Sequence, residues 1–341
     1  MSLPTFTIGN KTFGAIGFGA MGIGLSLYGA VESDEDRFKV LDAAYEAGCT
    51  MWDTAQIYGD SEELIGKWFK RTGKRDEIFL ATKGGIGADF SLDGSRGSIL
   101  KSATESLEKL GVNYIDLYYL HRPDPNVPIE VSISAIAELV KAGKVKHLGL
   151  SEVSASTLCR AYAVHPIATV ECEYSTFTLD IEDPKIDLLR TARELGVKIV
   201  SYSPLGRGLV TGQYKSPADF AADDFRRWIP RYSEANFPNI LRLADGLKTI
   251  GAKYSTASGP ATGGQVGLAW LLAQGDVIPI PGTKKIKFLH ENLAAKSIKL
   301  SEEDLATVRA LAVEADKVGQ NAGPRYPPGM AEQLFAETPA L

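Results

Sequence analysis

Cysteine and histidine are scarce in this chain, with three and four residues in 341. Cys49, Cys159 and Cys172 are far apart and form no C-x-x-C pair. Each lies in an apolar run, so the expectation is three buried free thiols in a reducing compartment, the cytoplasm. His121, His147, His165 and His290 provide no H-x-H or H-x-x-x-H, which argues against a metal site. No G-x-S-x-G is present to seat a nucleophilic serine. No apolar stretch approaches the ~20 residues that span a bilayer. The opening MSLPTFTIGNKTF lacks the charged and apolar regions of a signal peptide. Net charge is −5 with lysine and arginine scattered, so the basic stripe of a nucleic-acid binder is missing too. Membrane and nucleic acid drop out as partners. A small-molecule function in a monomer or weak oligomer is what these absences leave.

Glycine, by contrast, is plentiful, and GFGAMG (17–22) spells the G-x-G-x-x-G of a dinucleotide-binding turn. That motif needs a helix starting inside the glycine run and an acidic residue closing the next strand of a βαβ unit. Here the run continues into IGLSLYGAVESDED, a loop whose helix is predicted to start only near Ser33. The local pattern therefore speaks against a Rossmann unit.

The larger pattern is an alternation with a period of about 30 residues, the length of one βαβ repeat. Short β-branched or aromatic runs are FGAIGF (13–18), CTMWD (49–53), IFLATK (78–83), IDLYYLH (115–121), HLGLS (147–151), ATVEC (168–172), VKIVSYS (197–203) and VIPIPG (277–282). Helical stretches such as DEDRFKVLDAAYEAG and GSILKSATESLEKLG separate them, several closed by glycine. Eight such units predict an α/β fold, a single (β/α)8 TIM barrel spanning residues 1–341. A β-hairpin (4–16) precedes it and plugs its lower end. The gap from Ser203 to Val277 is read as an excursion plus two helices, and a Gly- and Pro-rich tail (about 314–341) is expected over the active-site rim.

Active sites of such barrels gather at the C-terminal ends of the strands. Those ends carry Asp53, Lys83, His121, Ser151, Glu171, Tyr202 and Thr283. Each alone has a structural explanation; one rim carrying all of them is harder to explain by packing. Tyr58 lies five residues beyond Asp53 in WDTAQIYG. A phenol with pKa near 10 is a poor acid at neutral pH, and a nearby ammonium favours the phenolate. Asp, Lys, Tyr and His together therefore read as acid/base machinery for reducing a carbonyl.

The set DTAQIYG, ATKGG, YYLHRPDP, GLSEVS, VECEYS, SYSPLGRG and IPIPGTKKIKFLHENL resembles the aldo-keto reductases, in order, from about residue 7 to residue 313. The resemblance implies a catalytic tetrad of Asp53, Tyr58, Lys83 and His121. In it Tyr58 is the general acid, Lys83 held by Asp53 depresses the phenol's pKa, and His121 orients the substrate carbonyl. It also implies extended NADPH bound without a Rossmann fold. Gly19, Ala20 and Met21 would lie beside the nicotinamide ribose, and Tyr202 would stack on the nicotinamide. The stretch Ser203, Pro204, Leu205, Gly206 and Arg207 would run along the pyrophosphate. Pro281 and Gly282 open the adenosine-binding segment, in which Thr283, Lys285 and Lys287 are candidates for the 2′-phosphate and Glu291 with Asn292 for the adenine.

Three positions depart from the family pattern. Ser-Asn and Gln usually hold the carboxamide; this chain has Ser151-Glu152 and Glu171, and a carboxylate accepts but cannot donate unless protonated. With Ser151, Glu152 and Glu171 carried over as cofactor-binding residues, Glu171 is expected to orient the ring, while the role of Glu152 is left open, pointing elsewhere being the alternative. An arginine common on the last helix is Phe288. The glutamate pair and the DIE after EYS look most like the pyridoxal reductases, while HPIA, the DFRR…PRY segment and PGTKKIKFLHEN are similar to a branch of fungal and plant carbonyl reductases. The implied reaction is NADPH-dependent reduction of an aldehyde or ketone, with pyridoxal as the sharpest expectation. A broad-specificity reductase, or a cofactor-binding regulatory subunit like the ion-channel beta subunits, are the alternatives.

Overall fold

The computed structural model describes residues 4–341. The chain opens with a hairpin of β1 (Thr5–Ile8) and β2 (Lys11–Gly14), which stops short of residue 16. Residues 15–17 then lead into β3 (Phe18–Gly19), so the strand expected over 13–18 is divided between hairpin and barrel. The hairpin seals the lower end. Ile8 and Phe13 pack against Met51, Phe79, Leu117, Tyr119 and Ile278 inside the ring. At the turn, Gly9 has φ +59, and a Cβ there would meet the His147 imidazole at 2.3 Å. His147 thus belongs to this lower seal, far from the opposite rim.

β3 is followed by β4 (Met51–Asp53), β5 (Phe79–Gly84), β6 (Ile115–Leu120), β7 (Val145–Ser151), β8 (Thr169–Glu173) and β9 (Lys198–Tyr202). A two-residue hairpin, β10 (Ser255–Thr256) with β11 (Gly259–Pro260), stands apart, and β12 (Val277–Pro279) completes the ring. All eight ring strands run parallel in chain order. Backbone bonds from Gly17 N to Pro279 O (3.0 Å) and Gly19 N to Pro281 O (3.5 Å) close it. At that seam a Cβ on Gly19 would lie 2.6 Å from Ile280 O, and one on Gly282 would lie 2.6 Å from Gly19 O. The glycines that spelled a nucleotide motif are demanded by this close approach of two backbones.

Helices wrap the ring: α1 (Met21–Gly24), α2 (Asp34–Glu46), α3 (Ser61–Thr72), α4 (Arg96–Leu110), α5 (Ile129–Lys141), α6 (Ala155–Val164) and α7 (Leu188–Glu194). Ser33, Ser95 and Ser154 cap α2, α4 and α6 by accepting from backbone N–H groups of the first turn. The single turn α1 begins at the end of the glycine run, where a loop was expected. Four 3₁₀ turns between 206 and 232 form the excursion, ahead of α8 (Phe237–Gly251) and α9 (Gly263–Leu272). α10 (Ile286–Ala294) and α11 (Glu302–Asn321) end the regular structure. α11 continues past 314, so the irregular tail starts only after Asn321. The tail then lies along the end of β7: Phe335 N donates to Glu152 O at 2.8 Å, and Arg160 of α6 holds Thr338 O at 2.8 Å. Cys49 and Cys172 are buried as expected, but Cys159 is exposed on α6, where an apolar run winds onto a solvent face. Among the described residues no helix is long and apolar enough to cross a membrane.

Candidate active site

Alternation along a strand sends every second side chain into the barrel. Met51 and Asp53, Phe79, Ala81 and Lys83, Leu117 and Tyr119, and Val200 and Tyr202 fall in step; the apolar members fill the lower core, and polar ones face the upper rim. There Lys83 Nζ donates to Asp53 Oδ1 and, at 2.9 Å, to Thr54 O, with Glu171 Oε2 3.4 Å away. All three side chains are buried, Lys83 completely. Tyr58 sits in the turn between β4 and α3, fixed by Tyr58 N to Ala55 O (3.0 Å) and Ser61 N to Tyr58 O (3.1 Å). Its ring centre is 5.0 Å from Lys83 Nζ and 5.7 Å, edge-on, from the His121 imidazole. The four tetrad candidates are one cluster.

Its electrostatics are set by two carboxylates around one ammonium. Burial disfavours charge on Lys83, but Asp53 and Glu171 outweigh it and hold the amine protonated, its pKa raised. Burial, then the Asp53 charge, push Glu171 up to about 8 against the pull of Lys83. Asp53 is also raised by burial. Among the described residues Asp53 Oδ2 and Glu171 Oε2 are buried without a hydrogen bond, and both carboxyls flank the one Lys83 ammonium, which favours a proton held between them. His121 is held well below its ordinary value by burial, then by Arg122 and Lys83, so its ring is neutral. For Tyr58 the balance differs from the expectation: burial raises its pKa and Lys83 only opposes that rise. Burial outweighs the Lys83 charge, and Glu171 and Asp53 add to the rise, so the resting phenol keeps its proton.

Ala20 N donates to Asp53 O at 2.7 Å, which ties Gly19, Ala20 and Met21 to the rim of β4. After β9 the backbone turns left-handed at Ser203 (φ 47), Gly206 (φ 56), Arg207 (φ 55) and Gly208 (φ 90). Among the described residues the N–H groups of Leu205 and Arg207 donate to no protein acceptor. Successive such turns with free N–H groups form a concavity for an anion. Pro204 sits within this turn, and Thr283 Oγ1 accepts from Lys285 N at 3.1 Å in the loop before α10. Lys285 is exposed and pairs with Glu32 at 3.3 Å; Lys287 is exposed, and Asn292 is buried. Glu291 accepts from Thr262 Oγ1 at 2.8 Å, joining α10 to the cap of α9. Lys284, which the sequence did not single out, donates to the carbonyls of Gly29 (2.8 Å) and Ala30 (2.7 Å) and so holds the loop before α2.

Glu152 is not brought to the tetrad. With φ 53 it turns aside, and its carboxylate accepts from Glu173 N (3.0 Å), Tyr202 Oη (2.7 Å) and Arg325 Nη2 (2.6 Å). Arg325, from the tail, also meets Glu173 at 3.2 Å and Asp180 at 2.8 Å. The Arg207 side chain pairs with Glu173 at 2.9 Å and donates to Tyr232 Oη at 2.9 Å. Tyr326 Oη is 3.1 Å from Tyr202 Oη. Sequence reasoning missed Arg325 and Tyr326. The available signal was an unexplained excess of acid at Glu152 and Glu173, which required a cation from elsewhere.

Residues 15–313 match the profile described as the Aldo/keto reductase family. An aldo-keto reductase of Strobilurus tenacellus, str7, is 61% identical over 94% of this chain and 95% of its own length. The Schizosaccharomyces pombe aldo-keto reductase yakc, whose name specifies NADP(+), is 46% identical over 100% and 99%. Among solved structures, a glycerol dehydrogenase from Gluconobacter oxydans superposes with a TM-score of 0.82 at 28% identity, covering 93% of this chain and 97% of that one.

Proposed function

The chain belongs to the aldo/keto reductase family, and from this premise we propose that it reduces an aldehyde or ketone to the alcohol using NADPH, with Asp53, Tyr58, Lys83 and His121 as the catalytic group. The observation that carries the reading is the Lys83 ammonium, buried beside Asp53 and 5.0 Å from the Tyr58 ring. NADPH, when bound, supplies the two electrons of the reduction as a hydride. The residues suit it: the left-handed turn from Ser203 to Gly208 offers free N–H groups to a pyrophosphate, and Lys285 and Lys287 offer charge to a 2′-phosphate. Ser151 and Glu171 face the carboxamide in this reading. A Glu171 that keeps its proton can donate as well as accept, which makes it equivalent to glutamine there.

Tyr58 gives its proton to the carbonyl oxygen as negative charge develops. The nearby Lys83 ammonium stabilises the phenolate that forms, and Asp53 keeps that ammonium in place. Among the described residues the neutral His121 ring has no hydrogen-bond partner, and it has one N–H to offer the carbonyl oxygen. Tyr58→Phe removes the acid; reduction is expected to fall by about 10²–10⁴-fold with NADPH binding nearly unchanged, as followed by nicotinamide absorbance and fluorescence titration. Activity within tenfold of wild type would overturn the role of Tyr58.

The finer assignment, pyridoxal as substrate, is supported by the glutamate pair and by DIE after EYS. Turnover of pyridoxal far below that of nitrobenzaldehyde or simple quinones would leave the broad-specificity reading in its place. A stable tetramer with negligible turnover of any carbonyl would instead favour a regulatory subunit.

A further inference from the structure

Buried arginines around the rim come with carboxylates. Arg207 has Glu173, Arg325 has Glu152, Glu173 and Asp180, Arg226 has Asp224, and Arg231 has Asp180. Arg122, the residue after His121, is half-buried and has no such carboxylate partner among the described residues. Its Nη1 donates to His121 O at 2.7 Å and to Ser151 Oγ at 2.9 Å, so the guanidinium lies across the ends of β6 and β7. Among the described residues its Nε and Nη2 donate to no acceptor and no carboxylate stands at ion-pair distance. The nearby groups that bear on its charge are Tyr202, Glu152, Tyr326 and Tyr58, three of them phenols. A guanidinium partly withdrawn from water gains from an anion placed on its unused donors. The Nε–Nη2 edge is also the face of a guanidinium that takes a carboxylate side-on with two parallel bonds.

We propose that this free edge of Arg122 is a substrate subsite that binds an anionic oxygen, a carboxylate or phenolate carried on the carbon next to the reacting carbonyl. The Arg122 charge is near enough to act on both the His121 ring and Tyr58, so one planar substrate can span the acid and this edge. The proposal rests on the carbonyl-reductase reading above. It deepens that reading by naming the substrate class: α-keto acids and aldehydes with an ortho oxyanion, in preference to their neutral analogues. Ser151 gains a second role, because its hydroxyl oxygen accepts from Arg122 and its own proton is left to donate.

The test uses phenylglyoxylate and its methyl ester, which share a ketone and differ in the charge beside it. For wild type, Arg122→Gln and Arg122→Lys, the ratio of kcat/KM for acid over ester is measured by NADPH absorbance, and intrinsic reactivity cancels when ratios are compared. The ratio is expected to fall at least about tenfold in Arg122→Gln, chiefly through KM for the acid. Arg122→Lys should restore part of it, with KM for NADPH constant throughout. A ratio that stays within about twofold in Arg122→Gln, or a loss that appears equally with both substrates together with a raised KM for NADPH, overturns the subsite and leaves Arg122 a structural or cofactor-binding residue. Reduction of benzaldehyde but of neither probe also overturns it while the reductase reading stands. Failure to reduce any carbonyl overturns the reductase reading itself.

Discussion

Glu152 and Glu171 stand at the ends of neighbouring strands, are both fully enclosed, and titrate in opposite directions. Glu152 is lowered below its ordinary value because Arg325 and Arg122 overcome its burial. Glu171 is raised to about 8 because burial and the Asp53 charge overcome Lys83. The difference lies in the surrounding count of charges. Around Glu152, the carboxylates of Glu173 and Asp180 are met by Arg325, Arg207 and Arg231. Around Glu171, two carboxylates share one lysine. A balanced network anchors the tail; an unbalanced one leaves a proton in the site, where chemistry uses it.

The largest expected effect separates the two lysine and arginine centres. Lys83→Met should lower kcat by about 10²–10⁴-fold, because the phenolate of Tyr58 then forms in a buried site with no cation beside it. Arg325→Met should instead lower stability by about 3–5 kcal/mol, since Glu152 and Glu173 lose their buried counter-charge. Its kcat should fall far less than that of Lys83→Met. Thermal unfolding and single-turnover reduction, measured on both variants, check the contrast; equal losses of kcat would erase it.

The same substitution should then have opposite signs at the two glutamates. Glu152→Gln weakens charge-assisted bonds to Arg325 and should cost about 1–3 kcal/mol. Glu171→Gln removes the excess carboxylate and should be neutral or stabilising by up to about 2 kcal/mol. Denaturant midpoints at pH 7.5 or so decide this, and a destabilised Glu171→Gln would break the comparison.

The pH dependence carries the same contrast, its effect small for each step of pH. A folded pKa of about 8 against an ordinary 4.5 means that the folded chain binds a proton the unfolded chain has lost. Stability should therefore fall as pH rises between those values, with a slope of up to about 1.4 kcal/mol per pH unit for this group. Glu171→Gln should flatten that slope. Glu152 acts in the opposite sense: its folded pKa lies below 4.5, so its stabilisation is present above that value and is lost as pH falls through the folded one. Melting temperatures across the acid and neutral range of wild type and both variants separate the two contributions.

Much of the barrel was legible because its signal is local. Parallel strands covered by helices read as apolar runs, and serine caps with glycine stops mark the helices between them. Lys83 and Asp53 were legible as site residues for a related reason: an ionisable group ending an apolar strand has few packing explanations. The split of the first strand was not legible, since FGAIGF carries one continuous apolar pattern while the hairpin turns out of it at Gly14. The net lowering expected for Tyr58 is not found: Lys83 pulls the phenol down as expected, but burial, which the sequence does not display, raises it further, with Glu171 and Asp53 adding to the rise.

By itself the sequence determined the alternating barrel, the order of its strands and which side chains stand at their upper ends, because the 2.0 and 3.6 periodicities act over neighbouring residues. Only the tertiary structure decided what those side chains meet. Arg325 reaches Glu152 across 173 positions, and Arg122 is left with a free edge because the carboxylates nearby are taken by other arginines. Such pairings have no period in the chain, and the cost of burying a charge depends on every neighbour brought to it by folding.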